Sequence, residues 1–396
     1  MDGLILPAAE WRQRESLDRL VEVLGDARFV GGSVRDTLLG IPVSDIDLAT
    51  PLPPQRVIEL LRAAEIRAVP TGIDHGTVTA VLASGPVEVT TLRRDVSTDG
   101  RRATVAFTDD WREDAARRDF TINALYADPR TGAIFDYFGG IPDLDARHVR
   151  FIGDPLQRIA EDHLRILRFF RFLARFGDRA DPQGLDACTA RARDLMALSR
   201  ERIRDEVLKL LVARDAVRVV ELMLARGIFE PVLPEIRSAG GLARLVTRES
   251  AAGVPPHPIR RLAALLPQDP AIADQVGARL KLSNAERKRL VTAVSPPDRA
   301  AKPLAYRLGV ESAVDQLLLS GRPIEDVSEI AAWQPPRLPL TGGALVQRGL
   351  AKGPEVARAL RAVEDRWVSE GFPGEARVLA LADEVVAQAL RAASRA

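Results

Sequence analysis

Two carboxylates, Asp45 and Asp47, follow closely on a short apolar run that ends in Gly31-Gly32 and continues into Val34-Arg35-Asp36. This stretch, RFVGGSVRDTLLGIPVSDIDLAT over 28–50, restricts the fold more than any other. A strand has to run into a glycine pair, a helix has to open there, and a second strand has to present both aspartates. Residues i and i+2 of a strand share a face. Asp45 and Asp47 are therefore predicted to project together, with Ile46 turned away and the two Cα atoms about 6.5–7 Å apart. Carboxylates so placed repel unless a cation lies between them. Hard oxygens and an incomplete ligand set suit Mg²⁺, which keeps waters and takes phosphates as its other ligands. Gly31 and Gly32 offer bare backbone N–H groups at a helix start, and the missing Cβ atoms let a phosphate approach. Arg35, one turn in, is placed to grip the same phosphate. An anion site beside a cation site points to a metal-bound nucleoside triphosphate. A glycosyltransferase that holds a sugar nucleotide through Asp-x-Asp shares half of this pattern.

Three further segments extend the picture. GTVTAVLA and VEVTTLR, joined by Ala83-Ser84-Gly85-Pro86, read as a hairpin. Glu88, Thr90 and Leu92 fall on one face; if the hairpin pairs beside the aspartate strand, Glu88 completes a two-metal catalytic site with ions about 3.5–4 Å apart. The alternative is a glutamate on the wet side of a sheet. WREDAARRDFTINALYA, over 111–127, has helical periodicity. There Phe120, Ile122 and Ala124 would seat in a core while Arg117, Arg118 and Asp119 face a cleft. The arginines suit a triphosphate, Asp119 suits a ribose hydroxyl, and Asn123 lies one turn on along the same face. PLQRIAEDHLRILRFFRFLARF, over 155–176, reads as another helix, with Asp162, Arg165 and Arg168 at i, i+3 and i+6. An ionised aspartate only accepts and an arginine only donates. Cytosine and adenine both present an amino group beside an unprotonated ring nitrogen and satisfy this pair, whereas uracil and guanine present the reverse polarity. Such polar matching rejects the wrong partner by about 10⁴–10⁵. An ordinary i, i+3 ion pair is the plainer reading.

Composition narrows the classes. A chain of 396 residues is long enough for two or three domains. It contains no apolar run of the length a membrane span needs, and its first residues, MDGLILPAAEWRQRE, do not resemble a secretory signal. The single cysteine, Cys188, excludes an internal disulfide framework and a thiolate metal cluster and suggests a reducing, cytoplasmic location. Net charge is near zero, yet only five of the 56 basic residues are lysines, so the positive charge is carried by arginine forks suited to phosphate and base edges. Short β-type runs occupy the first 150 residues and helical periodicity the rest, interrupted by Pro255-Pro256-His257-Pro258, Ser295-Pro296-Pro297 and Pro335-Pro336. The expected fold is α+β: a small mixed-sheet head followed by an elongated helical region.

GGSVRD with DID, RRDFTINAL and EDHLRILRFFRF, in that order, resemble the successive motifs of the class II tRNA nucleotidyltransferase and bacterial poly(A) polymerase family. The resemblance is strong over 28–176 and weaker through ERIRDEVLKLL and LTGGALVQRGLAKGPEVARAL. It implies a polymerase-β-like nucleotidyltransferase head (1–150), a helical neck with the base-recognition helix (151–225), a helical body (226–330) and a tRNA-binding tail (331–396). It implies that Asp45 and Asp47 hold the catalytic metal and that Gly31, Gly32, Ser33 and Arg35 hold the triphosphate. Arg117, Arg118, Asp119 and Asn123 would help bind the nucleotide. Asp162 and Arg165 would read the base, supported by Arg168 and Arg171. The implied activity is addition of C, C and A to the tRNA 3′ acceptor end from CTP and ATP, with release of pyrophosphate. Poly(A) addition, addition of only C or only A, and a non-catalytic tRNA-binding relative are the alternatives. TGIDHGTVTAVL, over 71–82, resembles the CCA-adding side, and the arginine-bearing loop Ser97–Phe107 would be the lever that switches from C to A.

Overall fold

The computed structural model describes residues 4–98 and 103–393, in two compact units, Met1–Pro234 and Glu235–Ala396. The first unit begins with helix α1 (Leu17–Leu24), whose Leu17, Leu20, Val21 and Leu24 form a buried stripe. Strand β1 (Arg28–Val30) runs into Gly31, and helix α2 (Gly32–Leu38) opens directly after it. Strand β2 (Asp47–Thr50), helix α3 (Pro54–Ala63), and strands β3 (Arg67–Gly72), β4 (Thr77–Leu82) and β5 (Gly85–Thr91) follow. The expected hairpin is present, with β4 antiparallel to β5 about Ala83-Ser84. It pairs beside β2, parallel, placing Glu88 opposite Asp47.

A two-stranded ribbon, β6 (Arg93–Thr98) and β7 (Ala103–Phe107), occupies the segment expected to be a loop; residues 99–102 of the suggested lever lie outside the described residues. Helix α4 (Trp111–Ala116) comes next, capped by the Asp110 side chain. The long helix expected over 111–127 is corrected here. It ends at Ala116, a single 3₁₀ turn spans Thr121–Asn123, and Leu125–Ala127 is strand β8, paired antiparallel to β1. The apolar residues fit a helix period, but Tyr126 is fully buried against the central sheet opposite Val30, and tertiary pairing overrides the local pattern. Strand β9 (Ile134–Asp136) completes a seven-stranded sheet in the order β3-β4-β5-β2-β1-β8-β9, mixed because only β2 and β5 run parallel.

Helices α5 (Gly140–Asp145), α6 (Pro155–Glu161), α7 (Arg165–Phe176), α8 (Pro182–Ala190), α9 (Arg200–Leu211) and α10 (Ala216–Ala225) finish the unit. The single helix expected over 155–176 is two. Asp162 is extended (φ −151°, ψ 106°), and its carboxylate accepts the Leu164 amide at 3.1 Å, ending α6 and starting α7. Phe120 packs on Phe151 (centroids 5.0 Å) and Phe172 (5.1 Å), and Phe151 stacks on Phe169 (5.5 Å). This aromatic cluster fastens the 117–123 segment onto α7 and thereby sets Asp119 opposite Arg168.

The second unit is helical from Gly240 to Ala393. It holds two apolar clusters, one around Leu317 and Val327, the other around Val363 and Trp367. Arg260 is buried between Glu249 (2.7 Å) and Asp315 (3.0 Å). Among the described residues no helix is long and apolar enough to cross a membrane.

Candidate active site

A cleft of about 570 Å³ in the first unit gathers most of the residues singled out above. Gly31, Gly32, Arg35, Asp45, Asp47, Arg117, Arg118, Asp119, Asn123, Asp162, Arg165, Arg168 and Arg171 all line it, together with Phe172. Six arginines and four aspartates therefore share one space. Two expected residues are not in the lining. Ser33 is fully buried, and its hydroxyl donates to the Val30 carbonyl at 3.3 Å, beneath the turn. Glu88 is exposed on β5. It lies in register with Asp47 and its charge acts on that carboxylate, while among the described residues no three acidic, histidine or cysteine side chains are grouped closely enough to hold a metal by themselves.

Local sequence explains the acidic end. Ile46 is buried at 1% exposure while Asp45 and Asp47 reach the cleft on either side of it, the alternation expected even though the strand proper begins at Asp47. Among the described residues none of Asp45, Asp47 or Glu88 is ion-paired to an arginine or lysine. Asp47 is pushed up to about 6, first by burial, then by the charges of Glu88 and Asp45, against the opposing pull of Arg118. Crowded carboxylates with Arg118 acting only from beyond ion-pair distance have the chemistry of a divalent-cation site.

At the anion end, Gly31 has φ +68°, a left-handed conformation that disfavours any side chain. Arg35 is buried and already engaged. It pairs with Asp36 at 2.7 Å, donates to the Asn123 side-chain oxygen, and stacks on Phe176 at 4.1 Å. These contacts leave only part of its guanidinium for any further partner.

The side of the cleft formed with α7 is differently built. Asp119 accepts from Arg168 Nε (2.8 Å), the Asn123 side chain (2.8 Å) and the Phe120 amide (2.9 Å). Burial alone would raise this carboxyl, but Arg168 and the three hydrogen bonds hold it down to about 2. Asn123 does share Asp119's side, through a 3₁₀ turn rather than a helical one. Asp162 does not pair with Arg165. Its Oδ2 accepts from Arg202 at 2.8 Å, while Arg165 donates to Glu161 (2.5 Å) and to the carbonyls of Arg158 (2.8 Å) and Arg117 (3.1 Å). The two side chains are therefore fixed independently. Arg171 is held by Glu206 at 2.5 Å, which also approaches Arg168 at 3.8 Å.

Residues 27–150 match the family model described as the poly A polymerase head domain, and residues 180–239 the one described as a probable RNA and SrmB-binding site of polymerase A. The human mitochondrial CCA tRNA nucleotidyltransferase 1 is 34% identical over 371 residues, covering 88% of this chain and 84% of that protein. This chain belongs to the tRNA nucleotidyltransferase and poly(A) polymerase family. A CCA-adding enzyme of Limosilactobacillus fermentum is 32% identical over 376 residues, covering 90% of this chain and 92% of that one. The solved CCA-adding enzyme of Bacillus stearothermophilus, in complex with CTP, superposes with a TM-score of 0.73 at 26% identity, over 96% of this chain and 100% of that one. Membership makes the chain a nucleotidyltransferase of a metal-dependent family, with the mixed-sheet head and helical remainder expected of it.

Four residues inside the quoted segments carry no role read from the sequence. Asp36, Glu161, Arg202 and Glu206 touch the cleft-lining side chains without lining the cleft themselves. Glu206 left a signal: it sits in α9 on the apolar stripe Ile203, Val207, Leu210, where a buried acid requires a partner. Asp36 and Arg202 left none that composition or spacing distinguishes from ordinary surface charge.

Proposed function

We propose that this chain adds C, C and A to the 3′ end of tRNA, taking CTP and ATP and releasing pyrophosphate. The observation that carries the reading is that one cleft is lined both by the carboxylates Asp45 and Asp47 and by the acceptor Asp162 and the donor Arg165. The tRNA 3′ hydroxyl attacks the α-phosphate; the new phosphodiester forms as the bond to pyrophosphate breaks. Asp45 and Asp47 would hold Mg²⁺, which supplies charge neutralisation at the α-phosphate and acidifies the attacking hydroxyl when bound. Gly31, Gly32 and Arg35 with Arg117 and Arg118 cradle the triphosphate, and Asp119 with Asn123 faces the ribose. Asp162 accepts from the amino group of cytosine or adenine. Arg165 has three of its five donors engaged by Glu161, Arg158 and Arg117, and the remaining two would serve the ring nitrogen. Arg168 and Arg171 support that edge.

The segment over 180–239, matched as an RNA-binding region, and the helical second unit would grip the tRNA body. The neck, body and tail boundaries suggested by the sequence remain part of this reading. With Cys188 as the single cysteine, the reading keeps the reducing, cytoplasmic location suggested by the sequence. The test is an extension assay on tRNA lacking its last three nucleotides, with Mg²⁺ and each labelled nucleotide. CTP alone should add two residues, CTP with ATP three, and UTP or GTP none. A product that stops after C, contains only A, or grows into a long A tract would replace this reading with a partial enzyme or a poly(A) polymerase.

A further inference from the structure

Arg118 is held from behind by two buried groups that the cleft does not expose. Its Nε donates to Tyr126 Oη at 3.1 Å, and its Nη2 to Asp114 Oδ2 at 3.1 Å. Tyr126 Oη donates to that same oxygen at 2.6 Å, closing a ring of three side chains. The other oxygen of Asp114 accepts the Arg93 amide, at the root of the β6–β7 ribbon, at 3.2 Å and lies 3.6 Å from Arg117 Nε. Asp114 and Tyr126 are 2% and 0% exposed. Among the described residues no hydrogen bond from the protein engages Arg118 Nη1, and a Cβ built on Gly31 would stand 3.4 Å from it. Nη1 is thus turned to Gly31.

A carboxylate alone leaves a guanidinium free to pivot. A phenol bonded to a second nitrogen fixes its plane, and the rotamer freedom otherwise lost on gripping an anion is lost in advance. We propose that Asp114 and Tyr126 are positioning residues that set the plane of Arg118 so that Nη1 meets the nucleotide's phosphates beside Gly31, an inference that rests on reading the cleft as a triphosphate site. Because the phosphates are common to CTP and ATP, the device acts equally on both and leaves base choice alone.

Tyr126→Phe tests it in the full chain, keeping the ring contacts to Trp111 (5.5 Å) and Tyr137 (6.0 Å) while removing the hydroxyl. The dissociation constants of CTP and ATP, measured at equilibrium without tRNA, should rise in parallel by about tenfold. The ratio of CTP to UTP incorporation should stay unchanged. In an Arg118→Ala background the same Tyr126→Phe change should add nothing, since its effect runs through Arg118. Equal losses in both backgrounds, a loss for one nucleotide only, or no loss would each overturn the proposal. Should Tyr126→Phe not fold, Asp114→Asn is read in the same cycle against the same outcomes. The unsubstituted chain is assayed first, and failure to extend tRNA or bind CTP there defeats the underlying functional reading instead.

Discussion

The two ends of the cleft handle negative charge in opposite ways. At the β2 end, Asp47 sits near Glu88 and Asp45 without an ion-pair partner and is driven up to about 6. At the α7 end, Asp119 is more deeply buried, yet Arg168 and three hydrogen bonds keep it near 2. Burial alone would raise both. The difference is the partner supplied by the fold, and it separates two tasks. Carboxylates left uncompensated store repulsion that an arriving cation relieves. Carboxylates compensated in advance act as struts, holding arginines at the angles a nucleotide requires.

The sharpest way to break this contrast is to neutralise the uncompensated end. Asp47→Asn, or Asp45→Ala, should lower incorporation by about 10³-fold or more in a single-turnover extension assay. Affinity for tRNA, read by filter binding, should change little. Retained turnover would remove the acidic end from the chemistry. At the other end the expected loss is in selectivity, not rate. Asp162→Ala removes the acceptor proposed to face the base, and CTP over UTP discrimination should fall by about 10²-fold or more, measured as a ratio of kcat/KM. If that variant still separates CTP from UTP by orders of magnitude, Asp162 serves only to cap α7 and hold Arg202. One step further back, Glu206→Gln weakens the strut under Arg171 and Arg168. A rise of about tenfold in nucleotide KM is expected, with base choice kept. An effect confined to thermal stability would make Glu206 a packing residue of α9.

What the sequence made legible follows the same division. The glycine turn, the aspartate pair and the hairpin beside them were readable because strand alternation and turn residues are local properties, and Ile46 turning inward between Asp45 and Asp47 is their direct consequence. The segment 117–127 has the sequence of a helix but folds as a 3₁₀ turn and a strand. Its apolar spacing satisfies a helical period, and only the pairing of Tyr126 with Val30 across the sheet decides against it. The break at Asp162 has no proline or glycine to announce it; an aspartate accepting the Leu164 amide sets it. The struts were the hardest to see. Glu206, Asp36 and Arg202 are ordinary charged residues until the fold brings Arg171, Arg35 and Asp162 to them.

The smallest effects are in stability, and they carry opposite signs at the two ends. Asp47 has a folded value above its ordinary 3.8, so the native state binds its proton more tightly than the unfolded chain does. Stability therefore falls as pH rises from about 4 to about 6, by up to about 3 kcal/mol, since each pH unit between the two values contributes about 1.4 kcal/mol. Asp119 has a folded value below 3.8, so its contribution, about 2 kcal/mol, is present above pH 4 and is lost as pH falls towards 2. At pH 7.5 without divalent cation, Asp47→Asn should melt a few degrees higher than the unsubstituted protein and Asp119→Asn a few degrees lower. The Asp47→Asn gain should vanish near pH 4. Adding Mg²⁺ should raise the unsubstituted protein towards the Asp47→Asn value by mass action and leave that variant largely unmoved. Melting curves that shift in the same direction for both variants would show that the two ends are not differently compensated, and the division of labour drawn from Asp47 and Asp119 would fall with it.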